Sequence, residues 1–227
     1  MKELKLSKRL SAAAELCRKN SFVADVGTDH AYLPIYLAQK GYIRGGVVSD
    51  INKGPIDRAR AHIAEAGLEK LLSPVLCDGL SSLESYSPED VFILGMGGEL
   101  IARIISDAPM LERKGVRLIL QPMTHPEILR AYLSQKGFEI IAETIIRDDK
   151  LYQLICAEYT GVSYELTPFE LTFGKLNIEG RSELLFELFD HTKKVMDHRI
   201  RGKALSGADT SEEEYFLKEI KAIYDRK

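Results

Sequence analysis

The sequence has no apolar run approaching the roughly 20 residues that a bilayer crossing demands, so no membrane association is expected. Its first ten residues, MKELKLSKRL, lack the apolar centre of a secretion signal, and a cytoplasmic location is expected. Cysteine is scarce. Cys17, Cys77 and Cys156 are odd in number, scattered, and never form a Cys-x-x-Cys pair. That usage points to a reduced compartment, with no metal site expected. Positive charge is not in excess either. The 31 Lys and Arg against 34 Asp and Glu leave a formal net charge of −3, so any nucleic-acid partner must be met by local patches.

Glycine is missing where one class of nucleotide would need it. The stretch FVADVGTDHAYLPIYLAQKG, Phe22 to Gly41, reads as a strand turning into a helix. Asp29 and Tyr32 stand where a dinucleotide fingerprint places further glycines. Gly27 lets the backbone approach a ligand closely, but the flanking Asp25 and Asp29 would repel a pyrophosphate. They suit an ammonium or a sulfonium. A cationic nucleotide such as S-adenosyl-L-methionine is the expected ligand; a plain Asp-Gly turn would explain Gly27 but not both carboxylates.

What is present fits an α/β chain. With 227 residues, 45% hydrophobic and 29% charged, it can bury one large core and carry a small appendage. FVADV, GGVVSDI, LSPVLC, DVFILG and RLILQP read as five strands, with helices at YLPIYLAQK, PIDRARAHIAEAG and PEILRAYLSQKG. FEIIAETIIRD and KLYQLICAEYT then follow with no helix between them, which predicts an antiparallel hairpin around Asp148 to Lys150. Parallel strands closed by a hairpin resemble the Rossmann-like sheet of class I methyltransferases, whose last strand is antiparallel. LKLSKRLSAAAELCRK predicts an N-terminal helix with Leu6, Leu10, Ala13 and Cys17 on one face.

Residues 1–160 are expected to form this domain and 161–227 a connector and a C-terminal helical hairpin. The connector GVSYELTPFELTFGKLN reads as loop-rich. In the hairpin, Leu185, Leu188 and Val195 are expected to face Phe216, Ile220 and Ile223, and Ser211 with Glu214 to form a capping box. Lys194, His198 and Arg201 share a helix face, a basic stripe extended by Lys203 and suited to phosphates. A second basic segment, Lys2, Lys5, Lys8 and Arg9, opens the chain.

Ligands of such sheets bind beyond the carboxyl ends of the strands. Asp50 ends the second strand and Cys77-Asp78-Gly79 follows the third, so three parallel strands each end near an acid. LGMGGEL follows the fourth strand, where methyltransferases of exocyclic amines usually carry an Asn/Asp-Pro-Pro-aromatic motif. Its absence argues against an exocyclic amine as target. QPMTHP follows the fifth strand and places Gln121 and His125 on the same rim, His125 being read as a loop residue.

The stretches LSKRLSAAAEL, ADVGTDHAYLPIYL, DINKGPIDRA, CDGL, GMGGELI and LILQPM together resemble the bacterial tRNA (adenine-N1)-methyltransferases that modify position 22, the TrmK family. The resemblance runs from about Leu6 to Tyr159 and more loosely into the tail. It implies transfer of a methyl group from S-adenosyl-L-methionine to N1 of an adenine in whole tRNA, by a monomer or weak dimer. It also implies that Asp25, Gly27 and Asp29 hold the methionine end, Asp50 the ribose and Asp78 the adenine. Ile51, Gly79, Gly95, Met96 and Gly97 complete the cofactor site. Gly98, Gln121 and Pro122 lie at the target base, and Lys194, Arg201 and Lys203 touch tRNA. Asp29, His30 and Tyr32 are the implied catalytic residues. Met123 departs from the family, many of whose members have Asn there. A methyltransferase of a small molecule or another RNA, and a non-catalytic cofactor-binding protein, are the alternatives.

Overall fold

A computed structural model of the chain describes residues 4–28 and 30–225. Five strands pair in parallel: β1 (Ser21–Val26), β2 (Ile43–Asp50), β3 (Leu72–Leu76), β4 (Asp90–Met96) and β5 (Arg117–Pro122). β6 (Phe138–Arg147) and β7 (Leu151–Tyr159) form the expected antiparallel hairpin. The order is β3-β2-β1-β4-β5-β7-β6, with β7 antiparallel against β5. The sheet therefore changes winding direction between β1 and β4.

Consecutive strand residues point to opposite faces, so strands covered on both sides must be apolar throughout. Val23 and Phe92 pack with α1 (Lys8–Glu15), α2 (Tyr32–Gln39) and α3 (Lys53–Glu65) on one face. Ala24 and Ile93 pack on the other with α4 (Gly98–Ser106) and α5 (Pro126–Gln135). Sequence reading placed no helix between the fourth and fifth strands. α4 forms there because Ile101, Ala102, Ile104 and Ile105 give GELIARIIS one buried face. The three cysteines are free and buried.

α5 is tied to the hairpin by a buried ion pair. Arg130 Nε donates to Glu143 Oε1 at 2.7 Å and Nη2 to Gln153 Oε1 at 2.6 Å, with both charged side chains out of solvent. Burial pushes the Arg130 guanidinium pKa down, and Glu143 opposes the shift.

Contacts divide the chain into two units, Met1–Glu165 and Leu166–Lys227. The division falls after the expected 160/161 boundary because Tyr164 is bound to the sheet unit. Its N–H donates to Ser134 O, and its hydroxyl accepts from Ile140 N.

In the second unit, the loop-rich connector proves partly helical. α6 (Pro168–Phe173) starts from a capping box of Thr167 and Glu170, and α7 (Lys175–Gly180) follows. α8 (Glu183–Ser206) and α9 (Ser211–Tyr224) form the hairpin. Its seam is phased differently from the expectation. Leu185, Phe186, Phe189 and Met196 are buried, whereas Val195 is exposed. The large rings decide the phase: Phe189 packs on Phe169 and Phe173 of α6. Phe216 and Ile220 of α9 are buried as expected. Ser211 is not a cap, because Thr210 takes that position and Asp209 accepts the Ser211 N–H at 3.0 Å.

Candidate active site

At the carboxyl end of β1 the chain turns through Gly27, whose φ of 76° is a left-handed conformation that favours glycine. The N–H groups of Gly27 and Thr28 donate to Ser49 O at 2.8 and 3.1 Å, which fixes the turn against β2. The Thr28 hydroxyl accepts the Ala31 N–H at 3.0 Å and leads the chain into α2. This turn forms one wall of a cleft of about 240 Å³. Asp25, Gly27, Thr28, His30 and Tyr32 line it, together with Arg9 and Leu94.

Asp25 is 8% exposed. Burial raises its carboxyl pKa from 3.8 to about 6, against a lowering by the Thr28 hydrogen bond. No lysine or arginine among the described residues pairs with it. Asp90, a fully buried acid, shows the contrast: Arg18 donates to it from its backbone N–H and from Nε, each at 2.7 Å. One acid is satisfied by the chain itself; the other leaves room for a cation from outside.

The remaining acids spread along the sheet edge. Asp50 ends β2 half-buried, its Oδ1 accepting the Asn52 N–H at 2.7 Å, and Ile51 beside it is 60% exposed. Asp78 is exposed in the loop after β3, and Gly79 turns there with a φ of 55°. Asp78 and Gly79 border a separate recess of about 100 Å³ with Arg103 and Asp107. The structure thus brings Asp25, Gly27, His30 and Tyr32 together, and sets Asp50, Ile51, Asp78 and Gly79 on the neighbouring strand ends. Asp29 lies outside the described residues, as does Lys2.

Opposite Gly27, a register shift between Leu94 and Met96 in β4 forms a bulge at Gly95, φ 79°. The bulge aims Met96 across Gly27, where an added Cβ would lie 1.9 Å from the Met96 methyl carbon. Gly97 caps α4.

Three expected substrate contacts need correction. Gly98 is buried, its N–H donating to Thr124 O at 2.8 Å, and a Cβ there would lie 2.1 Å from His125 O. Its bareness serves the chain's own close approach rather than a flat ligand. Gln121 is fully buried beneath the rim, and Pro122 is buried beside it. His125, by contrast, is exposed and paired with Glu127, which raises its pKa, as suits a loop residue.

Residues the sequence reading missed sit around the cleft. Arg9, grouped there with the basic segment that opens the chain, donates from Nη1 to Gln121 Oε1 at 2.7 Å. His62 of α3 joins His30 and Tyr32 in a cluster of three rings with centroids 4.9 to 5.4 Å apart. Its Nδ1 lies 3.1 Å from His30 O. In the helical tail, Lys194, His198 and Arg201 are exposed, but Lys203 is held by the buried Glu213 at 2.7 Å. Lys203 is a hairpin brace rather than part of a free stripe.

The arrangement matches known proteins. The family model described as a methyltransferase domain matches residues 6–155. The tRNA (adenine(22)-N(1))-methyltransferase of Bacillus subtilis (strain 168) is 36% identical over 171 residues, 72% of this chain and 72% of that one. The chain belongs to the tRNA (adenine(22)-N(1))-methyltransferase family.

Solved structures of similar proteins extend the likeness along nearly the whole chain. The B. subtilis M1A22 tRNA methyltransferase TrmK has a TM-score of 0.82 at 29% identity, covering 97% of this chain and 96% of that one. Sp1610 of Streptococcus pneumoniae, solved in complex with S-adenosyl-L-methionine, has a TM-score of 0.83 at 29% identity, covering 97% and 99%. The sheet described above is therefore the Rossmann-like sheet of a methyltransferase family.

Proposed function

We propose that this chain transfers the methyl group of S-adenosyl-L-methionine to N1 of adenine 22 in tRNA, the reaction for which its B. subtilis relative is named. The observation that supports this most directly is Asp25, a buried carboxylate beside a glycine turn that pairs with no lysine or arginine among the described residues. Such a group fits the ammonium of a methionine moiety and opposes a pyrophosphate. The cofactor, when bound, supplies a methyl group on a positively charged sulfur.

Asp25 and the Gly27 turn hold the methionine end. Asp50 accepts from the ribose hydroxyls, the exposed Ile51 offers an apolar face to the purine, and Asp78 with Gly79 takes the adenine edge. Gly95, Met96 and Gly97 border the meeting point with the target base. Adenine N1 has a free lone pair at neutral pH, so no base must act before attack. The chain contributes position and electrostatic fit. His30 and Tyr32 line the cleft and stack with His62, and their rings offer a surface on which an exposed base can stack. Asp29 supplies a carboxylate to balance the positive charge that develops on the methylated base. Lys194 and Arg201 of α8 touch the tRNA backbone.

The test is direct. The protein is incubated with labelled cofactor and bulk tRNA lacking the modification, and the nucleoside is identified after digestion. Label in 1-methyladenosine at position 22 is expected; label in any other nucleoside, or none in RNA, would overturn the reading.

A further inference from the structure

A base turned out of a tRNA must be held in one plane for its N1 to meet a methyl group in line. His30 and Tyr32 are the rings that line the cleft, and the segment carrying them is strained. Between them Ala31 has a φ of 56°, the left-handed region that is unfavourable for any residue with a Cβ. α2 starts at that residue with no side-chain cap. Such a backbone persists only where contacts from its surroundings over-determine it.

One contact comes from within the loop, the Ala31 N–H donating to the Thr28 hydroxyl at 3.0 Å. Another comes from α3, 32 residues further along the chain: His62 Nδ1 stands 3.1 Å from His30 O, the carbonyl of the peptide that leads into Ala31. A carbonyl oxygen only accepts, so Nδ1 carries the hydrogen, in the neutral Nδ1 tautomer and in the imidazolium alike. The His62 ring adds a second restraint. Its centroid lies 5.2 Å from that of His30 and 5.4 Å from that of Tyr32, with its plane within 28° of both. His30 and Tyr32 are themselves 4.9 Å apart and 9° from parallel. His62 is not a wall of the cleft. Ala59 and Ile63 on the same helix are buried in the core, so its imidazole is carried by a fixed element.

We propose that His62 is a positioning residue for the target base: through the His30 carbonyl and the stacked rings it sets the plane of Tyr32, against which the adenine lies during transfer. This rests on the tRNA reading above. It gives His62 no contact of its own with tRNA or cofactor.

Steady-state transfer to tRNA, calorimetry and thermal unfolding of the whole chain test it together. His62→Ala should lower kcat roughly ten- to hundredfold, the range for misplacing a reacting group. KM for tRNA should stay within about twofold, because phosphate contacts elsewhere supply most of the affinity. S-adenosylhomocysteine should also bind within about twofold of the unaltered protein. His62→Asn, whose amide nitrogen can take the place of Nδ1, and His62→Phe, which keeps a ring alone, should each restore part of kcat. The deciding variant is the double. If His62 acts through Tyr32, adding His62→Ala to Tyr32→Ala should lower kcat by less than about twofold more. Losses that multiply, with a lower thermal midpoint, would mean a merely structural role and overturn the proposal. An unchanged kcat in His62→Ala would also overturn it, as would equal losses of kcat and S-adenosylhomocysteine affinity. If His62→Ala does not fold, His62→Asn in the same two backgrounds makes the comparison. If the unaltered protein bound S-adenosylhomocysteine but methylated no tRNA, the tRNA reading would fall and take this one with it, a result visible before any variant is made.

Discussion

A carboxyl group held near pH 6 by burial must give up its proton when a cation binds beside it. Asp25 is that group. Its folded pKa lies above the unfolded value, so its contribution to stability is present below about 3.8 and is lost as pH rises through about 6. Asp25→Asn should therefore stabilise the unliganded protein at pH 8, by on the order of 2–3 kcal/mol, and hardly at all at pH 4. Denaturant midpoints at the two pH values measure the difference. Cofactor binding runs the other way: affinity should rise from pH 5 to pH 7 and then level, and the slope should vanish in Asp25→Asn. Affinity that does not vary across that interval would remove the ammonium contact.

The place of Asp25 in the cleft was legible because an acid ending an apolar strand beside a glycine is a local pattern. That of Arg9 was not, since its direction is set by Gln121, 112 residues away. Gly98 was misread for the same reason: its neighbour, His125 O, comes from another loop. Gly98→Ala should cost about 1–3 kcal/mol through overpacking against backbone, read as a lower thermal midpoint.

Among the elements, the β6–β7 hairpin depends on a pair of charges that water does not reach. Glu143→Leu leaves the Arg130 guanidinium buried without its carboxylate, and should destabilise the sheet unit by about 3–5 kcal/mol. Adding Arg130→Met removes the stranded charge, so the double variant should be more stable than Glu143→Leu alone; chemical denaturation of both decides. Strands and their pairing could be read from the sequence because buried parallel strands are apolar runs and the missing crossover helix announces a hairpin. α4 escaped because its glycine start resembles a loop. The α8 seam escaped because its phase is set by Phe186 and Phe189 meeting other rings, which no count of spacings within α8 reveals.

For the molecule as a whole, net negative charge obliges a tRNA-binding protein to concentrate its cations. Lys194 and Arg201 are exposed on α8, and replacing both with Glu should weaken tRNA binding and lower its salt slope by about 0.7–0.9 per lost phosphate contact. Cofactor affinity should stay unchanged. Lys203→Glu should act otherwise, melting the α8–α9 hairpin by facing Glu213 with a like charge, visible as lost helical circular dichroism. Equal tRNA affinity at low salt in the Lys194/Arg201 variant would leave the stripe with solubility alone.

All three thiols lie before residue 166, in the sheet unit, and the helical unit has none. Cys17 and Cys156 are buried and pushed up to about 11, so alkylating reagents meet almost no thiolate until the sheet opens. The protein thus carries its own stopwatch. The rate at which those two sulfurs are labelled counts openings of the sheet alone, and its slowing on addition of S-adenosylhomocysteine would report how firmly a ligand holds that half of the chain shut.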